Sequence, residues 1–332
     1  MGLGAGRGGR PVWQANREAG EPRVSSVQDY LAFGLRIRSE IELPELAPAL
    51  DDDANLPLVK VARGHIPAQI PNTTAVGAHS LIGDQDYVLN ITSVGRFHAK
   101  SGEQIIIDAL PDASERNIRI FLLGSMMGAL CHQRGLLPLH ASAIEYEGGA
   151  IAFVGDSGAG KSTLSAYLHD KGYPLLCDDV CVVSRDANAG APMAWPGVRR
   201  IKLWQDALSA LRGEGTNLER VFDGMDKYHV PVTSVAEHKP LPLKRIYLLE
   251  NATEEKAHSI TRLTGVSALN AVLTQTYRRF IGDLMGNREQ HFKMGAELLR
   301  SVRIYTLRRH RGFDVFERET ARLMEHIRDQ TV

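Results

Sequence analysis

The sequence predicts an α/β protein in which a small, mostly antiparallel β-rich domain precedes a larger domain of strands and helices. Three observations carry this prediction. Apolar and polar residues alternate in short segments over residues 24–112, which is typical of strands with one buried face. A glycine-rich stretch then joins an apolar run to a helical pattern at residues 153–172. Strand and helix patterns alternate from there to the last residues, as in α/β domains.

Composition excludes some functions. Lys plus Arg and Asp plus Glu both number 39, so the chain has no net charge to attract nucleic acid or an anionic membrane. The longest apolar run, Ile120 to Cys131, is shorter than the roughly 18 residues of a membrane span and predicts a buried helix. Three cysteines are too few for a disulfide framework and fit a reducing cytosol. We expect a soluble, cytoplasmic protein with no nucleic-acid or membrane partner; a homo-oligomer stays open.

The chain divides into three parts. Residues 1–23 are rich in Gly and Arg without a signal-peptide core and predict a disordered tail. Residues 24–112 form the β-rich domain, in which the acidic stretch Asp51 to Asp53 predicts a solvated turn. Residues 113–332 form the larger domain, which opens with a helical pattern that ends at Gly135.

The glycine-rich stretch has the spacing of a nucleotide phosphate loop, "GDSGAGKS". The strand "AIAFVG" precedes it and the helix "KSTLSAYLHDKG" follows it, which is the context that this motif requires. Its glycines allow successive backbone N–H groups to point at phosphate oxygens. Lys161 supplies a cation to the β and γ phosphates, and the Ser162 hydroxyl can coordinate Mg²⁺. The predicted nucleotide-binding residues of the loop are Gly155, Asp156, Ser157, Gly158, Ala159, Gly160, Lys161, Ser162 and Thr163.

Two carboxylates follow the next apolar run, "YPLLCDDVCVV". Asp178 and Asp179 come 17 and 18 residues after Lys161, and we expect their strand beside the phosphate-loop strand, where one carboxylate reaches the metal. The second carboxylate can take a proton from an acceptor hydroxyl. The alternative is that the second Asp only caps a turn.

Other polar residues are less specific. His140, in the apolar strand "LLPLHASAIEY", fits a structural role when taken alone. Arg199, Arg200, Lys202 and Lys227 are candidate cations for a γ phosphate or an acidic peptide, although solvated surface fits any single one. Lys227, at a predicted strand start, is the preferred choice for the nucleotide site.

The His, the loop and the Asp pair together resemble the catalytic domain of HPr serine kinase/phosphorylase. The string "RGLLPLHASAI" through "FVGDSGAGKSTLSAYLHDKGYPLLCDDVCVV" is more similar still to the HPr-kinase-like proteins of lasso peptide biosynthesis, which phosphorylate a serine of a precursor peptide. The resemblance implies ATP and Mg²⁺ as cofactors, Asp178 with Ser162 at the metal, Asp179 as general base, Lys161 on phosphate, and His140 near the transferring phosphoryl group.

The resemblance also implies the acceptor. Where HPr kinases have His-Gly, this chain has "HAS", and their later Glu-containing signature is here "APMAWPGVRRIKLW", without a carboxylate. These departures favour a peptide or protein serine kinase acting on a lasso precursor peptide over HPr and over phosphorylase activity.

Two other function classes stay open. An ATPase or GTPase coupled to motion or signalling is one, although neither an "LSGGQ"-type signature nor an "NKxD" motif is present. A domain that binds nucleotide or a peptide without turnover is the other, and the complete set of Lys161, Ser162, Asp178 and Asp179 disfavours it.

Overall fold

The computed structural model describes residues 27–185, 190–213, 218–222, 225–232, 239–253 and 257–330. The tail predicted for residues 1–23 lies outside this part of the chain. No helix within it is both long and apolar enough to cross a bilayer.

The N-terminal part is one β-sheet. Its strands, in the described chain, are β1 (Gln28–Ala32), β2 (Leu35–Ser39), β3 (Ala47–Pro48), β4 (Leu58–Arg63), β5 (Thr74–Val76), β6 (Ser80–Ile82), β7 (Asp86–Ile91), β8 (Gly95–Lys100) and β9 (Gln104–Ala109). They lie in the order β3-β1-β2-β4-β9-β8-β7-β6-β5. The pairs β2 with β4 and β4 with β9 are parallel, and the others are antiparallel. The predicted β-rich, mostly antiparallel part is confirmed, and Asp51–Asn55 forms a short 3₁₀ turn.

A buried helical segment links the two sheets, as the apolar run predicts. It consists of α1 (Glu115–Phe121), a π-helical stretch at Leu122–Met126 and α2 (Met127–Gln133). The Ser114 side chain accepts a hydrogen bond from the Asn117 N–H and caps the first turn. Ile118, Leu122 and Leu130 pack in one core with Phe97 of the first sheet. The helix therefore buries its apolar side chains against strands rather than lipid.

The second sheet carries the glycine-rich loop. Its strands are β10 (Leu137–Leu139), β11 (Ala141–Tyr146), β12 (Gly149–Val154), β13 (Leu175–Cys177), β14 (Cys181–Arg185), β15 (Pro192–Trp195), β18 (Leu241–Asn251), β19 (Ser259–Leu263) and β20 (Arg303–Arg309), and a separate hairpin is formed by β16 (Arg200–Trp204) and β17 (Lys227–Pro231). Its helices are α3 (Lys161–Asp170), α4 (Gln205–Arg212), α5 (Gly265–Thr274), α6 (Arg279–Leu284), α7 (Arg288–Ser301) and α8 (Phe313–Asp329). The α/β architecture predicted for this half is confirmed.

The strand that carries the Asp pair is not next to the phosphate-loop strand, so that prediction is wrong. The order is β10-β14-β15-β18-β12-β11-β13, with β20 beside β18. β11 separates β12 from β13 and is antiparallel to both. Two antiparallel steps leave β13 parallel to β12, so both strands end at the same edge of the sheet. The carboxylates reach the loop from one strand further away.

The strand predicted from Tyr173 to Val183 is interrupted at the Asp pair. Leu139 pairs with Cys181 on one side of the interruption, and Ala143 pairs with Cys177 on the other. Residues 140–142 and 178–180 therefore face each other across a gap in the antiparallel ladder, and a register shift follows between Ala143 and Ile144. All three cysteines are buried and free.

Candidate active site

The phosphate loop lies between β12 and α3, as predicted. Gly155, Gly158 and Gly160 have φ values of 145°, 81° and 87°, which residues with a side chain rarely adopt. A Cβ at Gly155 would also lie 3.0 Å from the Leu249 carbonyl oxygen. Glycine is therefore required at these positions by the backbone conformation, and the N terminus of α3 faces the space in front of the loop.

Lys161 folds back over the loop. Its Nζ donates hydrogen bonds to the carbonyl oxygens of Gly155, at 2.7 Å, and Asp156, at 3.1 Å. Burial lowers the pKa of Lys161, and the charges of Asp178 and Asp179 oppose this effect. The ammonium group thus lies in the loop with carbonyl partners that a phosphate oxygen can replace.

Asp178 is buried and fully hydrogen-bonded. Its Oδ1 accepts hydrogen bonds from the hydroxyls of Ser142, at 2.5 Å, and Ser162, at 2.8 Å, and its Oδ2 accepts the Lys202 backbone N–H at 3.0 Å. These donors come from β11, α3 and β16. Asp178 therefore has a fixed position against the loop hydroxyl that motif spacing assigns to the metal.

Asp179 faces the cavity instead. Its φ of 72° turns the chain sharply at this residue, so consecutive carboxylates have different surroundings. Lys202 Nζ lies 3.0 Å from Asp179 Oδ2, and His140 Nε2 lies 3.6 Å from Oδ1. Burial acts to raise the pKa of Asp179, but the charge and hydrogen bond of Lys202, with His140, outweigh it and hold the pKa well below its usual range. The carboxylate is ionised at neutral pH.

His140 occupies the break between β10 and β11. Its backbone N–H donates to the Gln275 carbonyl at 2.7 Å, and the Gln275 side-chain oxygen accepts the Gly155 N–H at 3.1 Å. Gln275 thus connects the histidine to the phosphate loop. Burial and the charge of Lys161 lower the pKa of His140, while Asp179 opposes them. The ring is mainly neutral at pH 7.

The four candidate cations separate into two pairs. Lys202 and Lys227 line the cavity in front of the loop, with Lys227 Nζ 5.5 Å from the centre of a Trp204 ring. Arg200 Nη1 instead lies 3.2 Å from Glu45 Oε1, and the Arg199 N–H donates to the Glu45 carbonyl. The arginines therefore contact the N-terminal part and do not line the cavity.

The cavity measures about 400 Å³, within the range of small-molecule sites. It is lined by His140, Ser157 to Thr163, Asp179, Lys202, Trp204, Asp206, Ala207, Lys227, Arg309 to Phe313 and Phe316. The loop, the histidine, Asp179 and Lys227 therefore lie around one space. Sequence reasoning missed Ser142, Gln275 and the segment after β20. Only Ser142 carried a local signal, because it lies two residues from His140 and thus on the same side of the chain.

The oxygen atoms available suit magnesium. Ser162 Oγ and Asp178 Oδ1 are 2.8 Å apart, and Mg²⁺ is usually held by one or two protein oxygens, together with phosphates and water. Within the described residues, no group of three or more His, Cys, Asp and Glu side chains could hold a metal by itself. Ser162 and Asp178 would therefore hold Mg²⁺ only together with other oxygen ligands.

No family model matches the chain, and no curated protein matches it. Among solved structures, the Hpr(Ser) kinase/phosphatase from Coxiella burnetii overlaps 58% of this chain and 98% of its own, with 13% sequence identity and a TM-score of 0.32. So loose an overlap says nothing of what this chain binds or does.

Proposed function

We propose that this protein is an ATP-dependent serine kinase, which transfers the γ-phosphoryl group to a hydroxyl of a peptide or protein. The observation that carries the proposal is the separation of two consecutive carboxylates. Asp178 is fixed on Ser162 of the loop, whereas Asp179 faces the cavity with Lys202 and His140. A protein that only binds nucleotide needs the first arrangement but not the second.

The loop binds the phosphates of ATP. Its backbone N–H groups and the N terminus of α3 surround the phosphate chain. Lys161 exchanges the carbonyl oxygens of Gly155 and Asp156 for phosphate oxygens. Ser162 and Asp178 would hold Mg²⁺, which neutralises charge on the β and γ phosphates.

Asp179 is the general base. The acceptor hydroxyl gives its proton to the ionised carboxylate while its oxygen bonds to the γ phosphorus and the bond to the ADP oxygen breaks. Lys202 and His140 hold the carboxylate from two sides. Both groups line the cavity in front of the loop, so Lys202 would also stabilise charge that develops on the transferring phosphoryl group.

The acceptor we propose is a serine near the C terminus of a short precursor peptide of the lasso type. Support comes from the "PLHAS" and "CDDV" forms of the motifs. A flexible peptide must be ordered on binding, which limits its affinity. We therefore expect weak binding with turnover that depends on Mg²⁺ and ATP.

The test incubates the protein with Mg²⁺, ATP and one of three acceptors: a precursor-type peptide, the same peptide with Ala in place of the acceptor Ser, and HPr. Mass spectrometry should find one added phosphate on the first peptide only, and ADP should accumulate only with that peptide. If HPr is phosphorylated and the peptide is not, the proposed acceptor is wrong. Equal ADP formation in all samples would indicate an ATPase rather than a kinase.

A further inference from the structure

The end of β20 brings two arginines to the phosphate loop. β20 is parallel to β18, and β18 is parallel to β12, so all three strands end at the edge where the loop lies. Arg309 is the last residue of β20. Arg311 lies in the following turn, before α8, and both side chains line the cavity.

Both arginines contact carbonyl groups of the loop. Arg309 Nη2 lies 3.2 Å from the Ala159 oxygen and 3.4 Å from the Gly160 oxygen, and Arg311 donates to the Gly158 oxygen. A Cβ at Gly160 would lie 2.6 Å from Arg309 Nη2. Glycine at 160 therefore also makes room for the guanidinium.

The charge of Glu319 acts on Arg309, where it raises the pKa. Neither guanidinium forms a salt bridge within the described part of the chain, and carbonyl dipoles offset only part of a full charge. Arg309 is 7% exposed. Burial, with the neighbouring charge of Arg311, lowers the pKa of Arg309 to about 10, so it remains charged at neutral pH. Two cations that form no salt bridge in the described residues, beside a glycine-rich loop, suit a polyanionic ligand.

We propose that Arg309 and Arg311 bind the phosphate chain of the nucleotide from the end of β20. The inference rests on the proposed function, since it takes the cavity as a nucleotide site. Arg309 keeps its contacts with the loop carbonyls and donates its other N–H groups to phosphate. The exposed Arg311 releases the Gly158 carbonyl oxygen and donates to a phosphate oxygen instead. A planar guanidinium can donate two parallel hydrogen bonds to phosphate.

The test measures binding of AMP, ADP, ATP and tripolyphosphate by calorimetry. The variants are Arg311→Ala and Arg309→Lys, and the matched control is Arg308→Ala, whose side chain pairs with Glu250 at 2.9 Å outside the cavity. We expect Arg311→Ala to weaken ATP and tripolyphosphate binding about tenfold or more, as for a lost charge-assisted hydrogen bond. AMP should bind nearly unchanged, Arg309→Lys should show a smaller loss of the same kind, and the control should match the unsubstituted protein.

How strongly each variant's loss of affinity depends on the number of phosphates in the ligand shows whether the arginine binds phosphate or only stabilises the loop. If the arginine only stabilises the loop, its replacement should weaken the binding of all four ligands equally, and that result would overturn the inference. Unchanged ATP and tripolyphosphate affinities in both variants would overturn it too, while leaving the proposed function intact if Lys161→Ala still weakens ATP binding. An unsubstituted protein that binds none of the four ligands would overturn both.

Discussion

Lys202 is bonded to both members of the Asp pair: its side chain lies 3.0 Å from Asp179 Oδ2, and its backbone N–H lies 3.0 Å from Asp178 Oδ2. A side-chain substitution therefore separates the two contacts, because the backbone bond to Asp178 remains. Lys202→Met should leave ATP binding within about threefold but lower peptide phosphorylation at least about tenfold, since a cation worth more than 1.4 kcal/mol at the reacting group is lost.

Steady-state kinetics with ATP and peptide check this prediction. Lys244→Met is the matched control, because Lys244 is exposed on β18. If the Lys202 variant loses ATP affinity and transfer in equal measure, Lys202 belongs to the nucleotide site alone.

Lys161→Ala should abolish transfer and weaken ATP binding by about tenfold to a hundredfold, because the ammonium group donates charge-assisted hydrogen bonds to phosphate. Calorimetry with ATP and Mg²⁺ measures the affinity. Lys171→Ala, at the other end of α3 and 55% exposed, should bind as the unsubstituted protein does. Unchanged affinity in the Lys161 variant would remove the phosphate-loop assignment.

The Asp variants should differ from each other. Asp179→Asn should keep Mg²⁺-dependent ATP binding and lose about 10² to 10⁴ in transfer rate, the usual contribution of general acid–base catalysis. Asp178→Asn should also weaken the Mg²⁺ dependence of ATP binding, because Asp178 contacts Ser162. Titration of ATP with and without Mg²⁺, together with single-turnover rates, tests both. Near-normal transfer by Asp179→Asn would show that the roles are reversed or wrong.

A buried histidine should make stability depend on pH. His132 is 0% exposed, and its Nε2 donates to the Tyr277 carbonyl at 2.9 Å. Burial lowers the pKa of His132 from 6.5 to about 4, against the opposing effect of that carbonyl. As the pH falls, His132 therefore binds a proton near pH 6.5 in the unfolded chain but only near pH 4 in the folded chain. Stability is full above pH 6.5, falls by at most about 3 kcal/mol between these values, and no longer changes through this group below them.

Urea unfolding between pH 7.5 and 4.5 measures that slope. His132→Gln keeps a neutral donor and should flatten the dependence, whatever its effect on stability at pH 7.5. An identical slope in the variant would mean that other groups account for the loss.

Local patterns predicted the loop and its flanking strand and helix, because backbone conformation and hydrophobic period act over a few residues. The same holds for Lys227 at the start of β17. Arg309 and Gln275 could not be found in this way. Arg309 is 149 residues from Gly160 in the sequence and Gln275 is 120 residues from Gly155, and only strand order brings them together.

Strand order also explains the error over the Asp pair. The expectation placed β13 beside β12, but β11 pairs with β12 in a hairpin and occupies that neighbouring position. Period and composition of "YPLLC" are the same in either arrangement, so the sequence pattern does not distinguish them.

The gap in the ladder between residues 140–142 and 178–180 limits how this site can change in evolution. Leu139 pairs with Cys181 on one side and Ala143 with Cys177 on the other, and the register already shifts once between Ala143 and Ile144. An insertion or deletion of one residue in either segment would slip the register and turn the following side chains to the other face of the sheet. Substitutions within the gap leave the ladder untouched. Point replacement in the gap should therefore change the chemistry of the site with less disturbance of the sheet than a change in segment length.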